Sequence, residues 1–472
     1  MRFSELLQEA RCARIWLSQV IAVFTSTFSS ISVFALKRLP VVIVFSSLAG
    51  LQACVATMSS TSSSTTSTLP TEQASQAFAF TDSVGVVTHL SYTNTPYYTA
   101  FPQILSSLKT LGIHHIRDGY YPWLSSSPIV QAHRSLAAAG IRCNYVIPYA
   151  HSTQPIAIED FAPEVGDLEA LEAPNECDVS GECGGNGAAA VSNVVAFLPT
   201  VHLAAADLNV PAVGPSFVVP ASYLLTGNLD SLINFNNLHI YFGGRNPGSA
   251  GWGDVDAEGN SYGSFSWWLD QAAIDGPGLP SEITETGYIA SPTTTTPYTL
   301  PEGVEASYTP RTLLLAYNHG FKRTLLYELL DEVSSPGYGL LHSDLTPKPA
   351  FKAVSNLLAT LDDSNAPFTA GSLPYLISGA DSTLNHVLLE KHDGSFWLVL
   401  WLEQSSWNPE SAKPISVSAQ NIGLQLSSDY MATTDYQFDA TGSVSAFNQP
   451  MNGNWAGLTA TDKISIVRIV HR

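Results

Sequence analysis

The chain has 472 residues, enough for a large barrel with an accessory module or for several domains of ordinary size. Twenty Lys and Arg stand against forty Asp and Glu, a net charge of −20. This charge argues against a nucleic-acid-binding protein, which needs a basic surface. A hydrophobic share of 45% and only five Cys exclude a disordered chain and a disulfide-built scaffold. A large folded protein remains, and its low share of charged residues, 13%, is common outside the cell.

Residues 1–56 are predicted to direct export, as a signal peptide or an N-terminal membrane segment. Two uncharged runs, residues 15–36 and 39–58, flank the basic pair at 37–38, and the second run resembles the apolar core of a signal peptide. The first run is alternatively a membrane anchor, since it is long enough to span a bilayer. The tetrapeptide ending in Cys54 resembles a bacterial lipoprotein signal, in which the Cys is lipidated; otherwise Cys54 is discarded with the signal peptide. We therefore expect a secreted or cell-envelope protein, with any membrane attachment through this segment or a lipidated Cys54.

Residues 57–76 are predicted to form a Ser/Thr-rich linker, because residues 57–68 are all Ser or Thr except Met58 and cannot build a core. Residues 77–365 then alternate between short apolar runs and longer amphipathic stretches, the pattern of parallel βα units. The predicted strands begin at Val84, Ile113, Arg142, Leu168, Val210, Leu238, Glu282 and Arg323. Eight strands over this length predict an α/β fold, the (β/α)8 TIM barrel. A doubly wound sheet shows the same alternation, but no Gly-rich phosphate loop follows the first strand, which favours the barrel.

Residues 366–472 change to alternating or continuous apolar runs with turn residues between them, which predicts an antiparallel β-sandwich. Asp393-Gly394 between two such runs is a strong hairpin signal. Residues 74–83 are expected to add strands to this sandwich.

Two glutamates stand at the ends of predicted barrel strands. Glu176 follows the fourth strand and Glu285 follows the seventh, and the C-terminal ends of barrel strands form active sites. Two carboxyls there can bracket a glycosidic bond: one, kept protonated by its surroundings, protonates the leaving oxygen, while the other attacks the anomeric carbon. A lone Glu at a strand end is about as often an ion-paired rim residue, but the pair favours a functional role.

The order and spacing of these motifs over residues 80–360 resemble the retaining glycoside hydrolases of clan A, the 4/7 barrel superfamily, in a poorly characterised bacterial branch. The resemblance implies that Glu176 is the acid/base and Glu285 the nucleophile, with Asn175 contacting the sugar 2-hydroxyl. It also implies an Arg beside the nucleophile, which is Arg117, where a cation favours the ionised carboxylate.

Six further residues are candidates for substrate binding. By the same resemblance, His239 and Tyr241 belong to the site at the end of the sixth strand, and the Tyr hydrogen-bonds the nucleophile. Tyr327 stands where many members of the clan carry a sugar-stacking Trp, so the sequence does not predict the sugar. His89 and Tyr149 follow the first and third strands; each is equally expected as a hydrogen-bonded rim residue. Trp252, in a Gly-rich loop, is a candidate stacking wall for a sugar.

Cys177 and Cys183 flank a short loop beside Glu176 and are expected to form a disulfide that braces it. The barrel shows no His/Cys metal spacing, and the predicted chemistry needs no cofactor and no metal. The partner is then an oligo- or polysaccharide, and no nucleic acid is expected. The alternative is a non-catalytic carbohydrate-binding protein of the cell surface on the same barrel, because fold and function separate readily. An inverting or transglycosylating variant is a third alternative.

Overall fold

The computed structural model describes residues 69–120, 126–149, 158–249, 255–293, 296–333, 336–363, 366 and 368–472. The predicted signal peptide or membrane segment and Cys54 lie outside these residues. The predicted barrel and β-sandwich are both confirmed, and they belong to one compact unit, residues 67–472.

The described chain opens with two short strands, β1 (Thr71–Gln73) and β2 (Ser75–Gln76), and a helix, α1 (Ala77–Asp82). Strand β1 pairs antiparallel with residues 372–374, and β2 pairs parallel with residues 389–390. Residues 71–76, which the sequence placed in the linker, therefore belong to the C-terminal sandwich. Of residues 74–83, only the first few join a sheet, because the apolar side chains that follow turn inward on α1.

Eight parallel strands form the barrel within the described residues, at the eight predicted places. They are β3 (Val84–Val87), β4 (His115–Gly119), β5 (Arg142–Val146), β6 (Leu168–Glu172), β7 (Ala212–Val213), β8 (Asn236–His239), β9 (Ser281–Thr286) and β12 (Arg323–Leu326). Neighbours in the sheet follow chain order, and β12 pairs with both β9 and β3. A parallel bridge between Val213 and Phe235 closes the ring. Strands such as β3 are buried along their whole length, which is why they read as short apolar runs.

Helices cover the outside of the barrel. They are α2 (Pro96–Thr99), α3 (Phe101–Leu111), α4 (Pro128–Ala138), α5 (Ile158–Val165), α6 (Cys177–Ser180), α7 (Gly187–Asp207), α8 (Phe265–Asp275), α9 (Glu302–Asn318) and α10 (Pro349–Leu361). A 3-10 helix, Pro220–Leu225, follows β7, and two short strands, β10 (Ala290–Ser291) and β11 (Leu300–Pro301), precede α9. By length and composition α7 could cross a membrane, but its side chains Val194, Phe197 and Val201 are buried in the barrel core.

The C-terminal sandwich consists of two mainly antiparallel sheets. After residue 371 its strands are β13 (Ser372–Ser378), β14 (Leu384–Glu390), β15 (Phe396–Leu402), β18 (Gln420–Leu426), β19 (Tyr430–Phe438), β20 (Val444–Asn448), β21 (Met451–Asn452), β22 (Trp455–Ala460) and β23 (Ser465–His471). Two short strands, β16 (Trp407–Asn408) and β17 (Lys413–Pro414), form a separate two-stranded sheet. One sheet has the order β1-β13-β18-β22-β21 and the other β2-β14-β15-β23-β19-β20. The predicted hairpin at Asp393-Gly394 joins β14 to β15.

Strand β15 explains how the sandwich attaches to the barrel. All seven of its residues are buried, and successive side chains of a strand point to opposite faces. Leu398 and Leu400 lie in the core of the sandwich, whereas Trp397 and Trp401 lie in the core shared with the barrel. The continuous apolar run of β15 is therefore the sequence of a strand with a hydrophobic core on each side.

A buried ion pair joins the two parts. Arg311 of α9 is fully buried and donates to both carboxylate oxygens of Glu403, which follows β15. Glu403 also accepts from the indole N–H of Trp401 at 2.7 Å and the side-chain amide of Asn246 at 2.7 Å. The backbone N–H of Gly248 donates to it at 3.2 Å. One sandwich carboxylate therefore holds both a barrel helix and the loop that follows the sixth barrel strand.

We expect Glu403→Gln to lower the free energy of unfolding by about 3–5 kcal/mol, because it leaves the buried Arg311 without its counter-charge. Chemical denaturation of the full chain, followed by tryptophan fluorescence, measures this loss.

The matched control is Glu410→Gln, at the same interface. Glu410 is 53% exposed and pairs with Arg245, so its substitution should cost no more than about 1 kcal/mol. Equal losses in the two variants would show that the buried pair does not hold the sandwich to the barrel.

Candidate active site

The guanidinium of Arg117 links three strands at the C-terminal end of the barrel. It lies on β4, is 4% exposed, and donates from Nε to both oxygens of Glu172, at 3.1 and 3.0 Å. Its Nη2 donates to Glu172 at 2.8 Å, and its Nη1 donates to Glu285 at 2.5 Å. Burial alone would lower the pKa of Arg117, but the charges of Glu172 and Glu285 raise it. The guanidinium is thus a permanent cation between the fourth and seventh strands.

Glu285 is held by donors on two sides. One oxygen accepts from Arg117, and the other accepts from the hydroxyl of Tyr241 at 2.8 Å. Burial and the charge of Glu285 raise the pKa of Tyr241 well above its usual value, so that hydroxyl keeps its proton. Next to Glu285, Gly287 lies so close to the eighth strand that a Cβ would stand 2.1 Å from the carbonyl oxygen of Tyr327. Glycine is required there for the two strands to meet.

Glu176 stands on a sharp turn between β6 and α6. Its φ of 42° lies in the left-handed region, and its backbone carbonyl accepts from two N–H groups of α6. Cys177, the next residue, forms a disulfide with Cys183. Asp178 accepts from the backbone N–H groups of Val218 and Val219 and so ties this turn to the loop after the fifth strand. These contacts fix the backbone on which the Glu176 side chain is mounted.

His239 lies between the two glutamates. Its Nδ1 is 2.8 Å from an oxygen of Glu176 and 3.5 Å from an oxygen of Glu285. The closest atoms of the three side chains all lie within 4.8 Å of one another. The structure therefore brings together the carboxyl groups of the fourth and seventh strands over one buried imidazole.

The protonation of Glu176 differs from the expectation that its surroundings keep it protonated. Burial raises the pKa of Glu176, but the hydrogen bond and charge of His239, together with Arg117, outweigh burial and lower it. Burial likewise lowers the pKa of His239, while the charges of Glu285 and Glu176 raise it overall. The contact between the two side chains therefore shifts each pKa against the effect of its burial, that of Glu176 downward and that of His239 upward.

Three of the remaining predicted residues surround the glutamates. The side-chain oxygen of Asn175 accepts from Arg117 Nη2 at 2.6 Å. The rings of His89 and Tyr327 meet edge to face, 5.8 Å between centroids, and Tyr327 also lies 6.4 Å from Tyr241. Burial lowers the pKa of His89 to about 4, so this ring is neutral. These side chains form an aromatic wall beside Glu285.

Two predicted residues are not placed with them. The ring of Tyr149 packs edge-on against Phe197 of α7 at 5.6 Å, and in the described part of the chain no hydrogen bond ties it to the glutamates. Trp252 lies outside the described residues.

Several residues of the site were missed from the sequence. Glu172 is fully buried at the end of β6 and, besides Arg117, accepts from Asn144 at 2.7 Å and Asn237 at 3.0 Å. Strand β6 carries two glutamates, Glu169 and Glu172, and the sequence does not show which of them faces Arg117. Tyr338, from the loop after the eighth strand, packs 5.4 Å from Tyr327 and 5.8 Å from Tyr241. Burial and the charges of Glu285, Glu176 and Glu328 raise its pKa to about 12.

Two clusters of described residues have the spacing of metal ligands. One cluster comprises Glu176, His239 and Glu285, and each of these side chains already hydrogen-bonds other groups of the protein. The other is buried and comprises His133, Cys143 and Asp167. In this cluster His133 Nδ1 and Asp167 already hydrogen-bond each other at 2.8 Å, and both contact the hydroxyl of Tyr145 at 2.8 Å. We assign neither cluster to a metal.

The fold is shared with solved glycoside hydrolases. A family 39 glycoside hydrolase from the gut symbiont Bacteroides cellulosilyticus WH2 is 15% identical with a TM-score of 0.54, over 83% of this chain and 82% of that protein. The catalytic domain of the family 30 xylanase C from Talaromyces cellulolyticus is 14% identical with a TM-score of 0.52, over 85% and 98%. A 4-O-α-L-rhamnosyl-β-D-glucuronidase from Fusarium oxysporum 12S is 13% identical with a TM-score of 0.54, over 85% and 99%.

No protein-family model and no curated protein sequence matches the chain. The structural likeness establishes the fold, a (β/α)8 barrel with a β-sandwich, as the resemblance to clan A implied. The reaction that the protein catalyses is inferred from the side chains of the site.

Glu172 differs from Glu176 and Glu285, because it is fully buried against Arg117, whereas the other two face each other over His239. Glu172→Gln should lower the free energy of unfolding by about 3–5 kcal/mol, because the buried Arg117 loses its main counter-charge. Glu176→Gln should change it by less than about 1 kcal/mol, since the side chain is 24% exposed and an amide oxygen can still accept from His239. Denaturation of both variants side by side measures the difference, and a larger loss in Glu176→Gln would contradict the assignment of Glu172 as the structural member.

Proposed function

We propose that the chain is a retaining glycoside hydrolase that cleaves O-glycosidic bonds by double displacement, with Glu285 as nucleophile and Glu176 as acid/base. The observation that carries the proposal is the separation of the two carboxyl groups, whose facing oxygens lie within 4.8 Å. Retaining enzymes hold their carboxyl groups about 5–5.5 Å apart, whereas inverting enzymes need about 6.5–9.5 Å to admit a water molecule. The fold of the neighbouring solved structures supports the same reaction class.

In the first step an oxygen of Glu285 attacks the anomeric carbon. The bond to the leaving oxygen breaks, and the proton of the Glu176–His239 pair passes through Glu176 to that oxygen, so the aglycone departs as an alcohol. Arg117 and Tyr241 fix the attacking carboxylate, since each donates to a different oxygen of it. Fixed donors of this kind need no reorganisation during the reaction.

In the second step water hydrolyses the glycosyl ester of Glu285. Glu176, now without its proton, removes a proton from the water, whose oxygen bonds to the anomeric carbon as the ester bond breaks. The sugar leaves with its original anomeric configuration, and both carboxyl groups return to their starting states. No cofactor takes part in either step.

We infer that the substrate is an oligo- or polysaccharide. The names of the neighbours, a xylanase and a rhamnosyl-glucuronidase, make xylan and aryl glucuronides the first members of a substrate panel. We also infer export to the cell envelope or the medium. The Cys177–Cys183 disulfide supports it, because disulfides persist in oxidising compartments.

The test is hydrolysis of an aryl-glycoside and polysaccharide panel by the full chain and three variants. Glu285→Gln should lose about 10⁴-fold or more in kcat, because the nucleophile is absent. Glu176→Ala should lose about 10²–10⁴-fold on substrates with poor leaving groups and much less on dinitrophenyl glycosides, which need no protonation. Azide should restore turnover to Glu176→Ala and give a glycosyl azide of retained configuration.

Glu182→Gln is the matched control, since it changes an exposed glutamate in the same loop as Glu176 and should keep wild-type rates. Proton NMR of the first sugar released reports its configuration, and an inverted product would overturn the retaining mechanism. Tight glycan binding without turnover by any protein of the set would favour the carbohydrate-binding alternative instead.

A further inference from the structure

A chain of buried hydrogen bonds runs from the backbone of the fifth strand to the acid/base. It begins at the carbonyl of Gly214, passes through Asn237 and Thr284, and reaches Glu176 by way of His239. Asn237, Thr284 and His239 are 1%, 0% and 4% exposed. Because bulk water does not reach these groups, their hydrogen-bond partners inside the protein determine which atom carries each proton.

The amide of Asn237 can point in one direction only. One of its terminal atoms lies 3.0 Å from the carbonyl oxygen of Gly214 and 3.0 Å from a carboxylate oxygen of Glu172. Both of these oxygens are acceptors, so the atom facing them is the nitrogen, Nδ2, which has two hydrogens to donate. The other terminal atom, Oδ1, then faces Thr284 at 2.6 Å and must accept.

The hydroxyl of Thr284 is fixed in turn. It has one hydrogen, and its two oxygen neighbours, Asn237 at 2.6 Å and Glu172 at 3.3 Å, are both acceptors. Whichever of them takes the hydrogen, Thr284 Oγ1 is left as the acceptor for His239 Nε2 at 3.0 Å. Nε2 therefore carries a hydrogen in every protonation state of this imidazole, and Nδ1 is the nitrogen that gains and loses a proton.

We propose that Thr284 and Asn237 are positioning residues that fix the tautomer of His239, so that Nδ1 shares with Glu176 the proton delivered to the leaving oxygen. The catalytic part of this inference rests on the proposed function, whereas the tautomer does not. With the opposite tautomer, the Nδ1 hydrogen would be the only one on the neutral ring, and its delivery through Glu176 would leave an imidazolate rather than a neutral imidazole.

The charges around His239 explain when the proton moves. Nδ1 faces Glu176 at 2.8 Å and Glu285 at 3.5 Å, while Arg117 and, through Thr284, Glu172 lie behind them. The negative charge of Glu285 favours the doubly protonated imidazole. That charge disappears when Glu285 bonds to the sugar, so the proton affinity of His239 falls just as the leaving oxygen requires a proton. The raised pKa of His239 and the lowered pKa of Glu176 in the free site agree with this order.

Thr284→Val tests the inference because it keeps the shape of the side chain and removes the acceptor for Nε2–H. A buried N–H without an acceptor disfavours the doubly protonated ring. The pair should therefore lose its shared proton at lower pH, and the basic limb of the kcat/KM profile should move down by about 1 pH unit for substrates with poor leaving groups. Dinitrophenyl glycosides need no proton, so their basic limb should not move. Thr284→Ser, which restores the hydroxyl, should return the profile toward that of the wild type.

The tautomer is measured separately by long-range ¹H–¹⁵N NMR of the full chain labelled at histidine nitrogens. The His239 signals are those lost in His239→Gln. At high pH they should show hydrogen on Nε2 in the wild type and on Nδ1 in Thr284→Val. Thr324→Val makes the same buried change in the adjacent barrel strand and should leave both the spectrum and the pH profile unchanged.

A wild-type His239 with its single hydrogen on Nδ1 would overturn the tautomer. The inference that Glu176 and His239 share the delivered proton would be wrong if the basic limb of the kcat/KM profile did not move in Thr284→Val. It would also be wrong if that limb moved equally for dinitrophenyl glycosides and for substrates with poor leaving groups. Failure of the wild-type chain to hydrolyse any glycoside would overturn the proposed function and the catalytic part of this inference, while the NMR result would still decide the tautomer.

Discussion

The site depends on a buried cation between two carboxylates. Arg117 donates to Glu172 through Nε and Nη2 and to Glu285 through Nη1. A buried charge without a partner costs several kcal/mol, so the guanidinium requires both carboxylates, and each carboxylate requires the guanidinium. These residues end the second, fourth and seventh strands, and therefore the register of the barrel and the geometry of the site are fixed by the same contacts. A carboxylate held in this way is positioned by the protein alone.

The barrel could be predicted because strands such as β3 are buried on both faces and read as short apolar runs, and because these runs alternate with longer amphipathic stretches. The two catalytic candidates could be found because a carboxylate directly after an apolar run is out of place. Glu172 ends the fourth barrel strand, and Glu176 follows it four residues later. The sequence does not show that both belong to the site, because only the fold shows that Glu172 faces Arg117. Tyr338 was missed for another reason: it comes from a loop, and loops carry no periodicity from which a position can be predicted.

The direction in which the pKa of Glu176 is shifted could not be predicted from burial. Burial favours a protonated carboxyl, and a strand-end glutamate in an apolar barrel was therefore expected to hold its own proton. The structure places an imidazole 2.8 Å away, and although burial raises the pKa of Glu176, the hydrogen bond and charge of His239 together with Arg117 lower it overall. Glu176 and His239 are thus a coupled pair of side chains. Such a pair can respond to the charge of Glu285, whereas a carboxyl isolated in an apolar pocket would respond mainly to its desolvation.

The sandwich contacts the loop that follows the sixth barrel strand, and this strand carries residues of the site. Tyr241 and His239 stand at the end of that strand, and the loop that follows is tied to Glu403 of the sandwich through Asn246 and Gly248. Glu403 is in turn fixed by Arg311, a residue of the barrel helix α9. Strand β15 adds a hydrophobic core on each of its faces. These contacts make the sandwich a support of the loop that follows the sixth strand, and residues 71–76, before the barrel, join its two sheets.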